Sequence, residues 1–340
     1  MTSTADGPVA RPVMADVARR AGVSHQTVSR VLNGHPNVSP ETKAEVMAAI
    51  RALGYRPNIA ARTLVTGKTN VLGVVSVDTT LYGPASMLYG IERALHPEYV
   101  VAVASLPAFD LGALTDAVER FAAQAVAGII VIVPDASAAD ALRALTVRIP
   151  LVAVGSGDYA SLPSVAIDNC AGAATATRYL LGLGHRTVYH VGGADNSLEA
   201  GERVEGWRAA LLAAGAPEPG LLRGDWSARS GYEIGRELAG QPEVTAVLCG
   251  NDQMALGFLR AVAEHGRRVP EDISVAGFDD VPEAAYYNPP LTTVRQDFGT
   301  LGVRALRVLM DLINHRGQAG PGQPIPADLI VRSSTGPARR

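Results

Sequence analysis

Two short helical patterns on either side of Gly22 constrain the fold of this chain more than any other feature. Upstream, Met14, Val17, Ala18 and Ala21 recur at spacings of three and four residues, as on the apolar stripe of an amphipathic helix. Gly22 permits the positive backbone φ that a sharp reversal between two helices needs. Two short helices joined by such a turn form the minimal helix-turn-helix unit.

The second helix is predicted to begin after Ser24, a good N-cap, and to end before Gly34. Its apolar positions are Val28, Val31 and Leu32. The polar residues that it turns outward are His25, Gln26, Thr27, Ser29 and Arg30. Such side chains suit the major groove of DNA, because glutamine pairs with adenine, arginine with guanine, and hydroxyls with phosphate. An ordinary helix pair with a solvated polar face would have the same pattern.

A third helix is predicted from Ser39, with Pro40 in its first turn, up to Gly54. Three such helices make a small all-α headpiece over residues 12–56, preceded by a disordered tail over 1–11. Residues 1–68 contain nine basic and four acidic residues, a net charge of +5, whereas the remainder carries −8. A basic end on an acidic body is typical of a protein that meets a polyanion at that end.

Residues 57–69 are predicted to form a hinge helix or linker between the headpiece and the rest of the chain. Asn58 can cap a helix, but only about two turns fit before Gly67. A helix this short is marginal in water, so it would fold only with support from its target. A plain linker is the alternative.

The pattern changes at Val71 to alternating strands and helices, which predicts an α/β body over residues 70–340. Near-continuous apolar strands between helices indicate parallel sheets covered on both faces, and the length suits two lobes with a ligand cleft between them. The predicted strands are Val71–Val77, Tyr99–Ser105, Gly128–Val133, Leu151–Val154, Thr187–Val191, Ala246–Gly250, Ile273–Phe278 and a last one at Ala327–Ser333. The predicted helices include Ala113–Ala125, Ala171–Leu183, Val204–Ala214 and Gln253–His265.

Several function classes find no support in the sequence. Cys170 and Cys249 are the only cysteines, which gives neither a disulfide framework nor a zinc site. The polar N-terminus and the lack of a long apolar run predict a cytoplasmic protein without a membrane segment. Gly67-Lys68-Thr69 resembles the end of a phosphate-binding loop, but Arg62 stands where the first glycine belongs. We therefore expect no enzyme, no cofactor and no metal.

The chain closely resembles the LacI/GalR family of bacterial repressors. The resemblance extends over essentially the whole chain, and its most specific motifs are Asp16-Val17-Ala18, residues 22–33, Tyr55-Arg56-Pro57-Asn58, residues 224–228, 251–257 and 289–298. It implies a homodimer that binds double-stranded operator DNA through the headpiece and hinge helix. It also implies a body shaped like a periplasmic binding protein that senses a small sugar.

The resemblance also implies roles for individual residues. Base reading carries over to His25, Gln26 and Arg30. Phosphate contacts carry over to Ser24, Thr27, Ser29, Asn33 and Asn58. The wedge that enters the minor groove is Leu64, flanked by Ala61; such apolar wedges kink a base step.

In the cleft, the resemblance implies that Arg203, Asn251 and Asp279 bind sugar hydroxyls beside an aromatic wall at Trp226. From the residues alone, Arg203 could equally form a surface salt bridge and Trp226 could lie in the core. The other lobe would contribute Leu81, Pro84, Gln296 and Phe298.

Four departures from the family pattern change the expectation in detail. Val13 replaces the threonine that usually caps the first helix, and His25 at a base-reading position predicts a different operator sequence. Ile132 and Gly155 stand at two pocket positions that are polar in a related repressor, so we expect a different glycoside or a different pose. The C-terminal tetramerisation helix is absent, which predicts a dimer.

We therefore predict a transcriptional repressor that a small sugar or glycoside releases from a palindromic operator. Two alternatives remain from the sequence: a regulator of the same family that needs a corepressor, and a sugar-binding transport protein.

Overall fold

A computed structural model of the chain describes residues 12–32, 35, 37–55, 69–106, 108–159, 162–315 and 322–339. The chain divides into two compact units, Met1–Thr69 and Asn70–Arg340, which are described separately below. The predicted tail over 1–11 lies outside the described residues. So do residues 57–68 of the predicted hinge helix or linker and the DNA-binding candidates Asn33, Asn58, Ala61 and Leu64.

The first unit contains three short helices in its described part. They are α1 (Met14–Ala21), α2 (His25–Leu32) and α3 (Pro40–Leu53). Gly22, at φ 65°, ends α1 in the left-handed conformation that its position between two helices requires. Ser39 accepts a hydrogen bond from the Thr42 amide at the start of α3, as the capping signal predicted. Val17, Val28 and Val46, one from each helix, are fully buried in a common core.

The first lobe of the second unit is a five-stranded parallel sheet with the strand order β2-β1-β3-β4-β5. Its elements in chain order are β1 (Val71–Ser76), α4 (Tyr82–Ala94), β2 (Val100–Ser105), α5 (Leu111–Ala123), β3 (Gly128–Ile132), α6 (Ala136–Ala144), β4 (Leu151–Val154) and β5 (Ser164–Val165). The central strand β3 is buried along its whole length, because helices cover both faces of the sheet.

The second lobe is a six-stranded sheet with the order β11-β10-β9-β8-β6-β7, parallel except for β11. Its strands are β6 (Tyr189–Gly192), β7 (Leu222–Arg223), β8 (Ala246–Cys249), β9 (Ser274–Asp279), β10 (Thr292–Arg295) and β11 (Asp328–Ile330). Its helices are α7 (Asn169–Gly182), α8 (Leu198–Ala213), α9 (Ala228–Leu238) and α10 (Asp252–Glu264), and a 3-10 turn spans Pro282–Tyr286.

The chain passes between the two lobes more than once. Helix α11 (Phe298–Ile313) follows β10 of the second lobe but packs its apolar face, including Leu301 and Leu309, into the core of the first. Ile167 and Ile325 pair where two of the connecting segments run side by side. The predicted two-lobed α/β body is therefore confirmed.

The predicted strands of the body are confirmed with small changes at their ends. The seven strands from Val71 to Phe278 are displaced by no more than two residues, while the last one is shorter and spans Asp328–Ile330. The sequence did not reveal β5, β7 or β10. No helix in the described part of the chain is long and apolar enough to cross a membrane.

Candidate DNA-binding helix and ligand pocket

Helix α2 has one buried and one polar face. Val28 and Val31 are buried against the other two helices. Ser24, His25, Gln26 and Arg30 are exposed, and Thr27 and Ser29 are partly exposed. A row of hydrogen-bonding side chains therefore lies on the outer face of a short helix that a small core holds in place.

Ser24 acts as the predicted cap of α2. Its Oγ accepts a hydrogen bond from the Thr27 amide at 3.1 Å and lies 2.9 Å from the Thr27 hydroxyl. Helix α1 begins differently, because the Val13 side chain has no hydrogen-bonding atom. There the Asp16 carboxylate accepts the Val13 amide at 2.9 Å and also pairs with Arg19 at 3.1 Å. The departure at Val13 is thus partly compensated within the first turn of α1.

All eight residues predicted for the effector site line one cavity of about 280 Å³ between the two lobes. The second lobe contributes Arg203, Trp226, Asn251 and Asp279 to this pocket. Leu81, Pro84 and Phe298 line it from the first-lobe side. The prediction that Gln296 belongs to that lobe is wrong, because Gln296 directly follows β10 of the second-lobe sheet. The structure thus brings together residues that are more than two hundred positions apart in the chain.

The order of the strands explains why the polar residues meet. Strands β10, β9 and β8 are neighbours and run parallel, so their carboxyl ends lie at the same edge of the sheet. Asp279 is the last residue of β9, Gln296 follows β10, and Asn251 follows β8 closely. Ligands of open α/β sheets bind beyond this edge.

Arg203 is buried, with a side chain only 7% exposed, and all its nitrogens face acceptors of the chain. Nε donates to Asn169 Oδ1 at 2.9 Å, and Nη1 donates to the Gly250 carbonyl. Nη2 lies 3.7 Å from Asp279 Oδ1. The guanidinium group also stacks on Phe278, with its Cζ 4.1 Å from the ring centroid. A surface salt bridge is thus excluded for this residue.

Asp279 is held between Arg203 and Gln296, whose Nε2 donates to Asp279 Oδ1 at 2.5 Å. Burial raises the pKa of this carboxyl to about 6, although Arg203 and Gln296 both favour its charged form. Burial also lowers the pKa of Arg203, because desolvation disfavours the charged form of an acid and of a base alike. The pair is a fixed donor and acceptor group of the kind that binds adjacent hydroxyls.

Asn251 and Trp226 are coupled. Asn251 Oδ1 caps α10 by accepting the Met254 amide at 2.8 Å, and Nδ2 donates to the Trp226 carbonyl at 3.0 Å. The Trp226 ring lies against Gly193, where a Cβ atom would approach the ring to 2.0 Å. The Trp226 ring can therefore line the cavity only because residue 193 is glycine.

The first-lobe wall is mainly apolar. Leu81 precedes α4, Pro84 lies in its first turn, and Ile132 ends β3. Phe298, the first residue of α11, meets the Tyr82 ring edge to face at a centroid distance of 5.7 Å. This wall offers surface for the C–H faces of a sugar ring.

Several lining residues were not predicted from the sequence, and of these Glu199 and Tyr82 bear most on the chemistry. The signal for Glu199 was its spacing, because it precedes Arg203 by four positions and shares its helix face. Tyr82 directly follows Leu81. Burial raises the pKa of Glu199 to about 7 and also raises that of the Tyr82 hydroxyl.

Comparison with known proteins gives a consistent result. Residues 13–58 match the profile of bacterial regulatory proteins of the lacI family, and residues 177–335 match a periplasmic binding protein-like domain. The lactose operon repressor of Escherichia coli K12 is 36% identical over 330 residues, which cover 96% of this chain and 91% of the relative. The transcriptional regulator CelR of Thermobifida fusca is 34% identical, with 95% and 98% covered.

Solved structures extend the comparison to the fold. A lac repressor dimer bound to operator and the anti-inducer ONPF has a TM-score of 0.85 at 34% identity, covering 96% of this chain and 99% of that one. A CelR–cellobiose complex has a TM-score of 0.71 at 31% identity, with 95% and 100% covered. These relatives are transcriptional regulators.

Proposed function

This chain belongs to the lacI family of bacterial regulatory proteins, and on that premise we propose that it is a transcriptional repressor. A small sugar or glycoside causes it to release its operator DNA. The observation that carries this proposal is that all eight predicted effector residues line the same cavity. A DNA-binding protein of this family acts in the cytoplasm.

The exposed face of α2 supports the DNA-binding half of the proposal. His25, Gln26 and Arg30 read base edges in the major groove, while Ser24, Thr27 and Ser29 bind phosphates. The remaining assignments concern residues outside the described part of the chain. Asn33 and Asn58 contact phosphate, and Leu64, flanked by Ala61, wedges into the minor groove.

The polar wall of the cavity supports the sensing half. Arg203, Asn251 and Asp279 bind hydroxyls, Trp226 covers an apolar sugar face, and the first lobe closes the site. CelR was solved with cellobiose, and the lac repressor with ONPF, which supports a sugar-like ligand here. A ligand changes operator affinity only if it binds one state of the protein more tightly; a coupling of about 1–3 kcal/mol corresponds to roughly 5–150-fold.

Operator recognition is tested by selecting a binding site from random DNA and titrating it in gel shifts at fixed salt, beside a scrambled site. The selected site should be a near-palindrome bound far more tightly than the scrambled one. Arg30→Ala should weaken binding by about 1–3 kcal/mol and relax the preference at one base pair of each half-site. Arg51→Ala removes an equal charge from α3 and should leave base preference unchanged. Equal affinity for both DNAs would refute the proposal.

The direction of the response separates the proposed repressor from its alternative within the family. Sugars that bind the protein in calorimetry are added to the preformed operator complex. Release of the DNA supports induction, whereas tighter binding in the presence of the sugar would identify a corepressor. A transport protein would bind the sugar without any specific affinity for DNA.

We also propose that the protein acts as a homodimer, because a palindromic operator presents the same half-site twice about one helical turn apart. The operator-bound relative is a dimer, which supports this assembly. Light scattering at micromolar concentration should give about 71 kDa, twice the 35.4 kDa of the chain. A mass of one chain, or of four, would contradict it.

A further inference from the structure

One corner of the cavity is acidic. Glu199 lies in the first turn of α8, next to the loop that follows β4 of the opposite lobe. A Cβ atom at Gly155 would lie 3.3 Å from Glu199 Oε1 and equally far from the Tyr159 hydroxyl. Glu199 therefore reaches across the cleft to this corner.

Gly155 and Val133 of the first lobe bring no polar side-chain atom to this corner. Gly155 has φ +134°, and a Cβ atom there would approach the Val133 carbonyl to 2.7 Å, so the position requires glycine. The neighbouring lining residue Ile132 is apolar. The Tyr159 hydroxyl is already engaged, since it donates to the Ser156 carbonyl at 2.6 Å. The chemical character of the corner thus rests on Glu199.

The carboxylate of Glu199 has few partners of its own. Ser197 Oγ donates to Oε2 over 3.3 Å, and the backbone amide of Glu199 adds a further interaction. Within the described part of the chain it forms no ion pair. The Arg203 guanidinium, four positions along the helix, favours its charged form but pairs with Asp279, Asn169 and the Gly250 carbonyl.

The cavity consequently carries one carboxylate more than its cations balance, since Arg203 and Asp279 offset each other. At the polar wall, the N-termini of α8 and α10 do not supply the missing positive charge, whereas the N-terminus of α4, which has no side-chain cap, lies at the opposite wall. Ser197 Oγ already accepts the Ala200 amide of α8, and Asn251 Oδ1 already accepts the Met254 amide of α10. An anionic group on a ligand would therefore meet an acidic wall without a free cation among the described lining residues.

Resting on the proposed function, we infer that Glu199 is a specificity-determining residue through which the pocket selects neutral or amino sugars and rejects sugar acids and sugar phosphates. A hydroxyl or ammonium group donates to the Glu199 carboxylate at this corner. A carboxylate or phosphate there would be buried beside a like charge, which is strongly unfavourable.

The test compares neutral, amino, acid and phosphate derivatives of two parent sugars. The full-length protein is titrated calorimetrically with glucose and galactose, with the 2-amino derivative, the uronic acid and the 6-phosphate of each, and with cellobiose and lactose. The titrations are made at pH 8, where the Glu199 carboxylate is ionised because its pKa is about 7. Each probe is also added to the operator complex.

We expect the neutral or amino form of a sugar to bind at least roughly tenfold more tightly than its acid or phosphate, which corresponds to about 1.4 kcal/mol. Glu199→Gln removes the charge with little change in shape and should narrow this gap severalfold. Glu199→Ala, a second variant in case glutamine disturbs the helix, should narrow the same affinity difference. Glu205→Gln, an exposed position on the same helix, should leave the gap unchanged.

The outcomes distinguish the two proposals. An acid or phosphate that binds as tightly as its neutral counterpart would overturn the role of Glu199, as would a gap that persists in both Glu199 variants. In those cases the sugar response itself stands. If no probe binds and none changes operator affinity, the proposed sugar response fails and this inference falls with it.

Discussion

The two walls of the cavity are built on different principles. On the second-lobe side, Arg203 and Asp279 are buried and hydrogen-bonded to the chain before any ligand arrives. On the first-lobe side, Leu81 and Phe298 offer mainly apolar contact, and Leu81 is 44% exposed. The polar wall therefore fixes the orientation of a ligand, because preorganised donors and acceptors lose little freedom on binding. The apolar wall gains its contact area only when a ligand covers it.

Backbone conformation follows the same division. Trp226, Asp279 and Asp280 all have positive φ, at 75°, 108° and 55°, although none is glycine. The Asp280 carboxylate is held by Arg332 and Arg295, at 2.6 and 2.7 Å, which keeps this turn after β9 in place. Such strained residues persist where the surroundings overdetermine them, and they cluster at ligand sites. The polar wall is thus built at a cost in local conformational energy.

The largest effect is expected at Arg203. Arg203→Ala leaves Asp279 buried without its positive partner, and truncating one member of such a pair costs about 2–5 kcal/mol in binding. Sugar binding should weaken roughly 30-fold or more, so that the operator complex no longer responds, while operator affinity without sugar stays at the wild-type value. Calorimetry and gel shifts measure the two properties separately.

Arg208→Ala is the matched control for that prediction. It removes the same charge from the same helix, but the Arg208 side chain is half exposed and pairs with Glu218 at the surface. This variant should respond to sugar like the wild type. If Arg203→Ala released the operator at wild-type sugar concentrations, the assignment of the polar wall would be wrong.

A smaller effect is expected from the apolar wall. Phe298→Ala removes ring surface that covers the ligand and also removes the contact with Tyr82. Sugar affinity should fall by about 1–2 kcal/mol, or roughly 5–30-fold, because only apolar burial is lost. Calorimetry should still detect binding, and the operator should still be released at higher sugar concentrations.

Leu212→Ala serves as the control for apolar truncation, since Leu212 is 82% exposed and does not line the cavity. It should not alter sugar affinity. If Phe298→Ala lost as much sugar affinity as Arg203→Ala, the proposed difference between the polar wall and the apolar wall would be wrong.

The part of the site that could be predicted from sequence reflects how each element is encoded. Buried strands such as β3 and β4 are continuous apolar runs, and their positions were predicted to within one residue. Strand β10 was missed because its Thr292 and Thr293 are polar by type, although both are fully buried. Gln296 follows that strand, so its place in the pocket came from family resemblance rather than from pattern.

Helix α8 shows the same limit at its start. The apolar pattern predicted a helix from Val204, but the structure begins it at Leu198, capped by Ser197. The first turn was hidden because Gly201 and the charged Glu199 and Glu202 interrupt the apolar stripe. This polar turn is the one that faces the cavity. The residues that interrupt the apolar pattern of α8 are therefore the ones placed to contact a ligand.

The smallest effect on ligand binding is expected at Asp252, which lies behind the polar wall. It is fully buried and accepts the Val281 amide at 2.8 Å and the Thr293 hydroxyl at 2.5 Å. Burial, and then the charge of Asp279, raise its pKa from 3.8 to about 8. Between these two values the folded protein holds a proton that the unfolded chain has lost. The stability that Asp252 contributes is therefore full below about pH 4 and is lost as the pH rises through about 8.

Asp252→Asn should make the stability of the second lobe less dependent on pH, since asparagine stays neutral. Its Oδ1 can accept the Val281 amide, and its Nδ2 can donate to the Thr293 hydroxyl, which reverses that hydrogen bond. Urea midpoints at pH 6 and pH 8, followed by the fluorescence of Trp207 and Trp226, both of which lie in that lobe, should differ less in the variant than in the wild type. Asp279 and Glu199 titrate in the same direction, and His190, with its pKa lowered to about 4, in the opposite one; all are retained in the variant. The exposed Asp116→Asn controls for the loss of one acidic side chain. Sugar affinity should change less than in Phe298→Ala. If the two urea midpoints differ as much in Asp252→Asn as in the wild type, Asp252 is ionised in the folded protein and the prediction is wrong.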